Sequence, residues 1–189
     1  EKFRNRNNIN IYIIKDKNIN QLDIILNYMN NNLNNFLGID FEFNNIKNKR
    51  NVALIQINFN NEFIIMFNPK SINNKQKKKL KHILFDVKNK KILHGAESLD
   101  IPYLFNEFFD NDDERKKFLY NYYDTKFLCD YLNIRDNMEN KKCKILLLVR
   151  KYELIDDKIL EKLIENENLM GPIYNVFVDV NKMNEKLIK

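Results

Sequence analysis

Hydrophobic and polar positions alternate through much of the first third of the chain and then change to a helical spacing. A strand turns successive side chains to opposite faces, whereas a helix repeats every three to four residues. These patterns predict strands at 9–15, 36–43, 52–59, 62–67 and 90–94. They predict helices at 19–33, 74–87, 97–108, 124–132, 141–152, 156–166 and 172–188, with a charged, solvated loop at 111–115.

The order of these elements indicates an α/β domain. The strands at 52–59 and 62–67 are joined by Asn60 and Asn61, a residue type that tolerates positive φ in tight hairpins. Three consecutive strands therefore predict an antiparallel three-stranded meander within a mixed sheet that is flanked by helices. With no repeat and no Gly/Ser linker, residues 1–189 are predicted to form a single domain. The chain does not begin with Met, which indicates a fragment or a processed product of a longer protein.

Composition narrows the class of protein. A hydrophobic content of 44% excludes a disordered chain. The net charge of +6 favours a nucleic-acid partner only slightly, because clustered charge counts for more than total charge. Lysines do cluster over 75–81, where they form either a solvated helix face or a track for phosphates.

Two cysteines, Cys129 and Cys143, have no metal-ligand or disulfide-framework spacing. They are predicted to be free thiols in a reducing compartment. No apolar stretch approaches the ~18 residues of a membrane span, and no signal-peptide core opens the chain. We therefore expect an intracellular protein, without distinguishing nucleus, cytoplasm or organelle.

Asp40 and Glu42 are the first candidates for chemistry. They end an apolar run and are two residues apart, so a strand would present both carboxylates on one face. A D-x-E triplet is weak evidence in a chain with 26 acidic residues, and Asp112–Glu114 is another one in a charged segment. The placement on an apolar strand before a hairpin distinguishes the first pair. Like charges held so close repel unless a cation lies between them, which indicates a divalent-metal site.

Two further segments could complete such a site. In the first, a short apolar strand ends at His94, Gly95 allows a turn, and Asp100 lies in the first turns of the following helix. In the second, Pro172 stands where helices often begin and Asp179 lies about two turns further on. A carboxylate on an apolar helix face needs a partner, because a lone buried charge is costly.

These three segments, in this order and spacing, resemble the DEDD superfamily of 3′–5′ exonucleases, and its RNase D group in particular. Phe36–Glu42 with Val52–Ile57 is similar to the family's first motif and the strand that follows it. Lys91–Ser98 is similar to the second motif, and Tyr123–Lys126 to the Asp-Thr helix start after it. The resemblance covers most of 36–180 and is more specific in the first two motifs than in the third.

The resemblance implies an RNase H-like exonuclease fold in which Asp40, Glu42, Asp100 and Asp179 bind two divalent ions. It implies Mg²⁺, with Mn²⁺ as a substitute, and hydrolysis by a two-metal mechanism. The expected activity is the removal of nucleoside 5′-monophosphates from the 3′ end of a single strand. RNA is favoured as the substrate, and DNA remains an alternative.

The second motif departs from the family pattern. The family places its Asp five residues after the His, where this chain has Leu99, and Asp100 comes one residue later. A one-residue insertion in the turn would restore Asp100 as the ligand. Otherwise Glu97 is the alternative ligand.

The third motif departs as well. The family has Tyr four residues before the Asp or His five before it, whereas here Tyr174 is five before Asp179 and Asn175 is four before it. One residue turns a helix by ~100°, so Tyr174 either holds the attacking water from the His position or is ordinary packing.

Other residues have simpler interpretations beside functional ones. His94 is more often structural than a ligand or base in such a position. Asp124 is most simply a helix N-cap. The tyrosines at 120, 122 and 123 could stack on single-stranded bases, but packing is the commoner role.

Rival functions remain open at this point, because a fold does not fix a function. A catalytically inactive exonuclease fold would also show such offset motifs. That fold would serve as a module for nucleic-acid binding or complex assembly. A third possibility is an α/β binding domain whose match is a coincidence of composition.

Overall fold

The computed structural model describes residues 2–4, 9–138, 142–170 and 177–183. In those ranges one seven-stranded sheet has the order β1-β2-β5-β4-β3-β6-β7. The strands are β1 (Lys2–Arg4), β2 (Asn10–Ile14), β3 (Phe36–Ile46), β4 (Lys49–Phe59), β5 (Phe63–Phe67), β6 (Lys90–Leu93) and β7 (Tyr122–Asp124).

The helices are numbered along the chain, from α1 between β2 and β3 to α7 near the end of the described ranges. They are α1 (Leu22–Asn31), α2 (Asn74–Phe85), α3 (Asp100–Tyr103), α4 (Asp112–Leu119), α5 (Thr125–Arg135), α6 (Ile145–Lys151) and α7 (Asp157–Met170). One π-helical turn, Leu104–Phe108, continues α3. None of the helices in these ranges is long and apolar enough to cross a bilayer.

The predicted meander is confirmed. β3, β4 and β5 pair antiparallel, and Asn60 and Asn61 both adopt positive φ (49° and 58°) in the turn between β4 and β5. β2 pairs parallel with β5, and β6 pairs parallel with both β3 and β7. The sheet is therefore mixed, as the sequence predicts for this α/β domain.

One face of the sheet, which we call the first face, carries the main core. Leu37, Ile39 and Phe41 point to this face from β3 and are buried against α1 and α2. Burial of this kind contributes roughly 1.5–3 kcal/mol for each large apolar side chain. A capping box between Asn73 and Gln76 fixes the start of α2.

The opposite face, which we call the second face, is covered over only part of its area. Val178 and Val180, in the short segment 177–183, pack on a small apolar cluster formed by β2, β4 and β5. That cluster consists of Ile11, Ile13 and Leu54, with Ile64 and Met66 beside them. The alternation along β3 puts Asp40 and Glu42 on the second face as well.

The predicted loop at 111–115 is wrong, because α4 begins there. The Asn111 side chain accepts a hydrogen bond from the Glu114 backbone N–H at 3.0 Å and caps the helix. The acidic residues of the first turn interact favourably with the positive end of the helix dipole. Phe118, later in the helix, is buried. A charged run was therefore a helix start rather than a break.

The predicted helix at 172–188 is also wrong over its described part. Residues 177–179 have no regular secondary structure, Asp179 has an extended backbone, and a short 3₁₀ helix, Val180–Lys182, follows. The Asn44 side chain bonds both the N–H and the C=O of Val178, at 2.7 Å each. Those two groups are therefore not paired within a helix. Residues 171–176 and 184–189 lie outside the described ranges.

The prediction of free thiols is wrong, since Cys129 and Cys143 form a disulfide. α5 carries Cys129, and the chain just before α6 carries Cys143. The buried Asn133 amide lies against this pair, 3.2 Å from the Cys143 sulfur. A separation of 14 residues is no signature of pairing, because the contact depends on how the chain turns after α5.

Candidate active site

Asp40 lies on the second face of β3, in the centre of the sheet. Its carboxylate accepts a hydrogen bond of 2.9 Å from the Gln56 amide, which is directly opposite on β4. Burial raises the pKa of Asp40, while the Phe41 backbone N–H, Gln56 and the nearby His94 ring act in the other direction. The carboxylate is oriented by the sheet and still reaches solvent.

Glu42 and Asp100 are coupled to Asp40 by charge. Burial raises the pKa of Glu42 to about 7, and the charge of Asp40 adds to the shift. Burial also raises the pKa of Asp100 to about 7, with further contributions from Asp40 and Glu42. We call Asp40, Glu42 and Asp100 the carboxylate cluster, because these side chains from β3 and α3 act on one another electrostatically.

The loop before α3 leaves helical geometry at two positions. Gly95 adopts φ +67°, and Leu99 takes a non-helical conformation just before the helix begins at Asp100. Glu97, the alternative ligand, forms an ion pair with Lys126 instead. Within this loop, Asp100 is the residue whose pKa is raised by the charges of both Asp40 and Glu42, after the larger effect of burial.

Asp124 fixes that loop from β7. Its carboxylate accepts hydrogen bonds from the backbone N–H groups of Gly95, Ala96 and Lys126, each at 2.9 Å. Burial alone would raise its pKa, but these bonds outweigh burial and hold the pKa below its usual value. The predicted N-cap is confirmed by the bond from Lys126. The tie to the loop was missed, because nothing local in the sequence signals it.

His94 has a structural contact, in agreement with its simpler interpretation. Its Nδ1 lies 2.8 Å from the hydroxyl of Thr125 at the start of α5. The ring also lies near enough to Asp40 to oppose the rise in that residue's pKa. His94 thus links the end of β6 to the site.

Asp179 lies in the segment that covers part of the second face, but its carboxylate is used locally. It accepts a hydrogen bond of 3.0 Å from the Asn181 N–H and lies 3.8 Å from the Lys182 ammonium. Asn181 in turn bonds Asp16 through its side chain. Tyr174 lies outside the described residues.

Across the described ranges, no three His, Cys, Asp or Glu side chains are close enough as they stand to hold one metal ion. The structure therefore brings Asp40, Glu42 and Asp100 into electrostatic contact without a closed set of ligands.

The lysines of α2 do not lead to the carboxylate cluster. α2 packs on the first face, and Lys77, Lys79 and Lys81 form ion pairs with acidic residues. The interpretation as a solvated helix face holds for Lys75 and Lys78, which are exposed, whereas Lys81 is buried between Asp110 and Glu114.

The three tyrosines separate into packed and exposed ones. Tyr122 packs on Phe118 with a ring distance of 5.7 Å and donates a hydrogen bond to Asp124. Tyr120 and Tyr123 are exposed.

Comparison with known proteins gives one curated relative and several solved structures. "Uncharacterized protein L533" of Acanthamoeba polyphaga mimivirus is 31% identical over 162 residues, which is 78% of this chain and 31% of that protein. No protein-family model matches the chain. The chain thus spans about a third of the length of its viral relative.

The solved structures are exonucleases of one type. RNase D of Escherichia coli matches 96% of this chain and 40% of its own, with a TM-score of 0.56 and 16% identity. Trypanosoma brucei RNase D in complex with RNA U12 matches 94% and 56%, with a TM-score of 0.61 and 9% identity. The EXO domain of Aedes aegypti Nibbler matches 79% and 71%, with a TM-score of 0.56 and 11% identity. The chain has the RNase H-like fold of the RNase D-type 3′–5′ exonuclease domains.

Proposed function

We propose that this chain is a metal-dependent 3′–5′ exonuclease domain that acts on single-stranded nucleic acid. The observation that carries the proposal is the carboxylate cluster on the second face of β3, in a fold of RNase D type. RNA is favoured over DNA, and the expected products are nucleoside 5′-monophosphates. The likeness to an RNase D that was solved with RNA supports this preference.

The donor chemistry of the cluster suits divalent cations. Carboxylate oxygens are the ligands that Mg²⁺ prefers, and Mn²⁺ accepts the same set. The desolvation and mutual repulsion that raise the pKa of Glu42 and Asp100 are what a bound cation would relieve. When bound, a pair of ions would activate a water and stabilise the leaving 3′ oxygen.

The residues of the candidate site have distinct roles in this proposal. Asp40, Glu42 and Asp100 would hold the cations, and Gln56 fixes the orientation of Asp40 through its amide. Asp124 would act as a positioning residue, since it holds the loop that carries Asp100.

Asp179 is proposed as the fourth ligand and Tyr174 as the residue that holds the attacking water. For Asp179 this requires its carboxylate to leave the Asn181 N–H. The two bonds from Asn44 would keep the segment on the second face during that change.

One observation favours a second candidate, an inactive exonuclease fold that binds nucleic acid or assembles complexes. Asp179 caps a short helix, and the described part of the chain offers no ready set of three metal ligands. The two candidates differ in whether a divalent cation leads to hydrolysis or only to binding.

The test uses 5′-labelled single-stranded RNA and DNA with Mg²⁺, Mn²⁺ or EDTA. The proposal expects a ladder of shortened products that requires the metal, is stronger on RNA, and is absent in Asp40→Ala. Asp113→Ala is the matched control, because Asp113 is an exposed carboxylate that pairs with Lys117 in α4. Metal-dependent cleavage that persists in Asp40→Ala would refute the assignment. Tight binding without cleavage by the native chain would favour the inactive module.

A further inference from the structure

In the part of the chain that the structure describes, the second face has an open half beside the half that 177–183 covers, because Phe36, Asp40 and Tyr123 are exposed there. Residues on this face of β3, β6 and β7 can be identified from register, because paired residues in a sheet point to the same side. Phe36 and Gly38 precede Asp40 on β3 at the same parity, and they pair with Lys90 and Ile92 of β6. This open half therefore ends at the carboxylate cluster.

Phe36 is the first unusual residue on this surface. Its neighbours Leu37 and Ile39 point to the first face and are buried, whereas Phe36 is 50% exposed. The Lys90 ammonium lies 4.8 Å from the centre of the Phe36 ring. A half-exposed ring with a cation beside it can stack on a base while the cation contacts a phosphate.

Tyr123 is the second exposed ring on the same surface. It pairs with Ile92 on β6, which itself pairs with Gly38 on β3. The parity places Tyr123 on the second face, while Tyr122 packs in the core of the first. Tyr123 is 40% exposed and stands about 10 Å across two strand spacings from β3.

The two rings flank a stretch of the second face that is floored by Gly38 and the half-buried Ile92 and that leads to Asp40. Phe36 and Asp40 are four residues apart on one strand, which is about 13 Å at the usual rise per residue. Gly38 lies between them and has no side chain, and a Cβ there would meet only the Asn58 Cβ at 3.4 Å. The path between the rings and the cluster is therefore clear of large side chains from β3.

We propose that the open half of the second face binds the single strand that leads to the carboxylate cluster. Phe36 and Tyr123 stack on its bases, and Lys90 contacts its phosphate backbone. This inference rests on the proposed nuclease function, and it adds the path of the substrate. Two separated aromatic rings with a cation beside one of them suit a single strand, whose bases are joined by charged phosphates. A protein partner would instead require a continuous apolar patch.

The test measures the binding of labelled oligouridylate by fluorescence anisotropy in EDTA, where no metal-dependent hydrolysis occurs. Phe36→Leu and Tyr123→Leu keep an apolar side chain and remove the ring, so the fold is preserved. We expect each to weaken binding about tenfold. Lys90→Gln should reduce the slope of log K against log salt by about 0.7, the loss of one phosphate contact to a single strand.

Two control variants lie on the other side of the molecule. Lys78→Gln removes an exposed lysine from α2, and Ile24→Ala removes an exposed apolar side chain from α1. Both should bind like the native chain. Affinities of both ring variants within about twofold of native would overturn the proposal, as would undetectable binding by the native chain.

Hydrolysis assays separate this proposal from the one on which it rests. The ring variants should raise KM and leave kcat nearly unchanged, whereas Asp40→Ala should lose kcat and keep its affinity in EDTA. Intact hydrolysis with an unchanged KM in both ring variants would overturn the binding path alone. Ring-dependent binding by a native chain that never cleaves would overturn the nuclease function alone.

Discussion

Replacement of Asp100 by Asn should stabilise the metal-free protein at pH 8 while abolishing its stabilisation by Mg²⁺. The carboxylate of Asp100 is unfavourable in the folded state, because burial and the charges of Asp40 and Glu42 raise its pKa from 3.8 to about 7. Asn is nearly the same size and carries no charge. The substitution therefore removes an electrostatic cost without leaving a cavity.

The size of this effect follows from the shift in pKa. About three pKa units correspond to roughly 4 kcal/mol of unfolding free energy. Asp100 is partly open to solvent, so we reduce this to about 2 kcal/mol. Glu42 has a raised pKa as well, and the two groups titrate as a coupled pair.

The sign of the pH dependence is opposite to that of an ordinary salt-bridged carboxylate. A carboxyl group with a raised pKa in the folded state favours folding below its unfolded pKa, where it is protonated in both states. That advantage is lost as the pH rises from about 4 through about 7. The native protein without metal should therefore lose stability over this window, and Asp100→Asn should lose less.

Urea unfolding at pH 4, 6 and 8, with and without Mg²⁺, measures both effects. Mg²⁺ should stabilise the native chain at pH 8, since a ligand that binds only the folded state raises its stability. Asp113→Asn is the matched control, because Asp113 is an exposed carboxylate that pairs with Lys117 in α4, outside the loop that carries Asp100. If Asp100→Asn destabilised the metal-free protein at pH 8, or if Mg²⁺ still protected it fully, the reasoning would be wrong.

Three further predictions concern residues that hold the site in place. Asp124→Ala leaves buried N–H groups of the Gly95 loop without an acceptor and should cost about 3–5 kcal/mol in urea unfolding, against no loss for Asp100→Asn. Asn44→Ala should release Val178, which hydrogen exchange would detect as faster exchange around that residue, with Asn45→Ala unchanged. Reduction of the Cys129–Cys143 disulfide should lower stability by about 3 kcal/mol, and the unreduced, denatured chain should show no reactive thiol; two reactive thiols there would contradict the bond.

Strong local patterns predicted most of the sheet. The alternation along β3 and the Asn60–Asn61 turn are local signals, so the meander and the common face of Asp40 and Glu42 followed directly. The start of α4 was missed because its acidic first turn resembles a solvated loop until the cap at Asn111 is seen.

Features that depend on contacts between distant residues could not be predicted from the sequence. The segment at Val178 is tied to Asn44, 134 residues away, and no local pattern marks either residue. The disulfide was missed for the same reason, because no local pattern marks Cys129 and Cys143 as partners. The ion pair of Glu97 with Lys126 also needed the structure, because these two residues lie 29 apart in the chain.

The most direct test of the carboxylate cluster as a metal centre is the number of Mn²⁺ ions that the protein binds, measured by electron paramagnetic resonance. The native chain should bind two ions saturably, Asp40→Asn should lose that binding, and Glu97→Gln should retain it. A native chain that binds no Mn²⁺, or an Asp40→Asn variant that binds it as well as the native chain, would contradict the central claim.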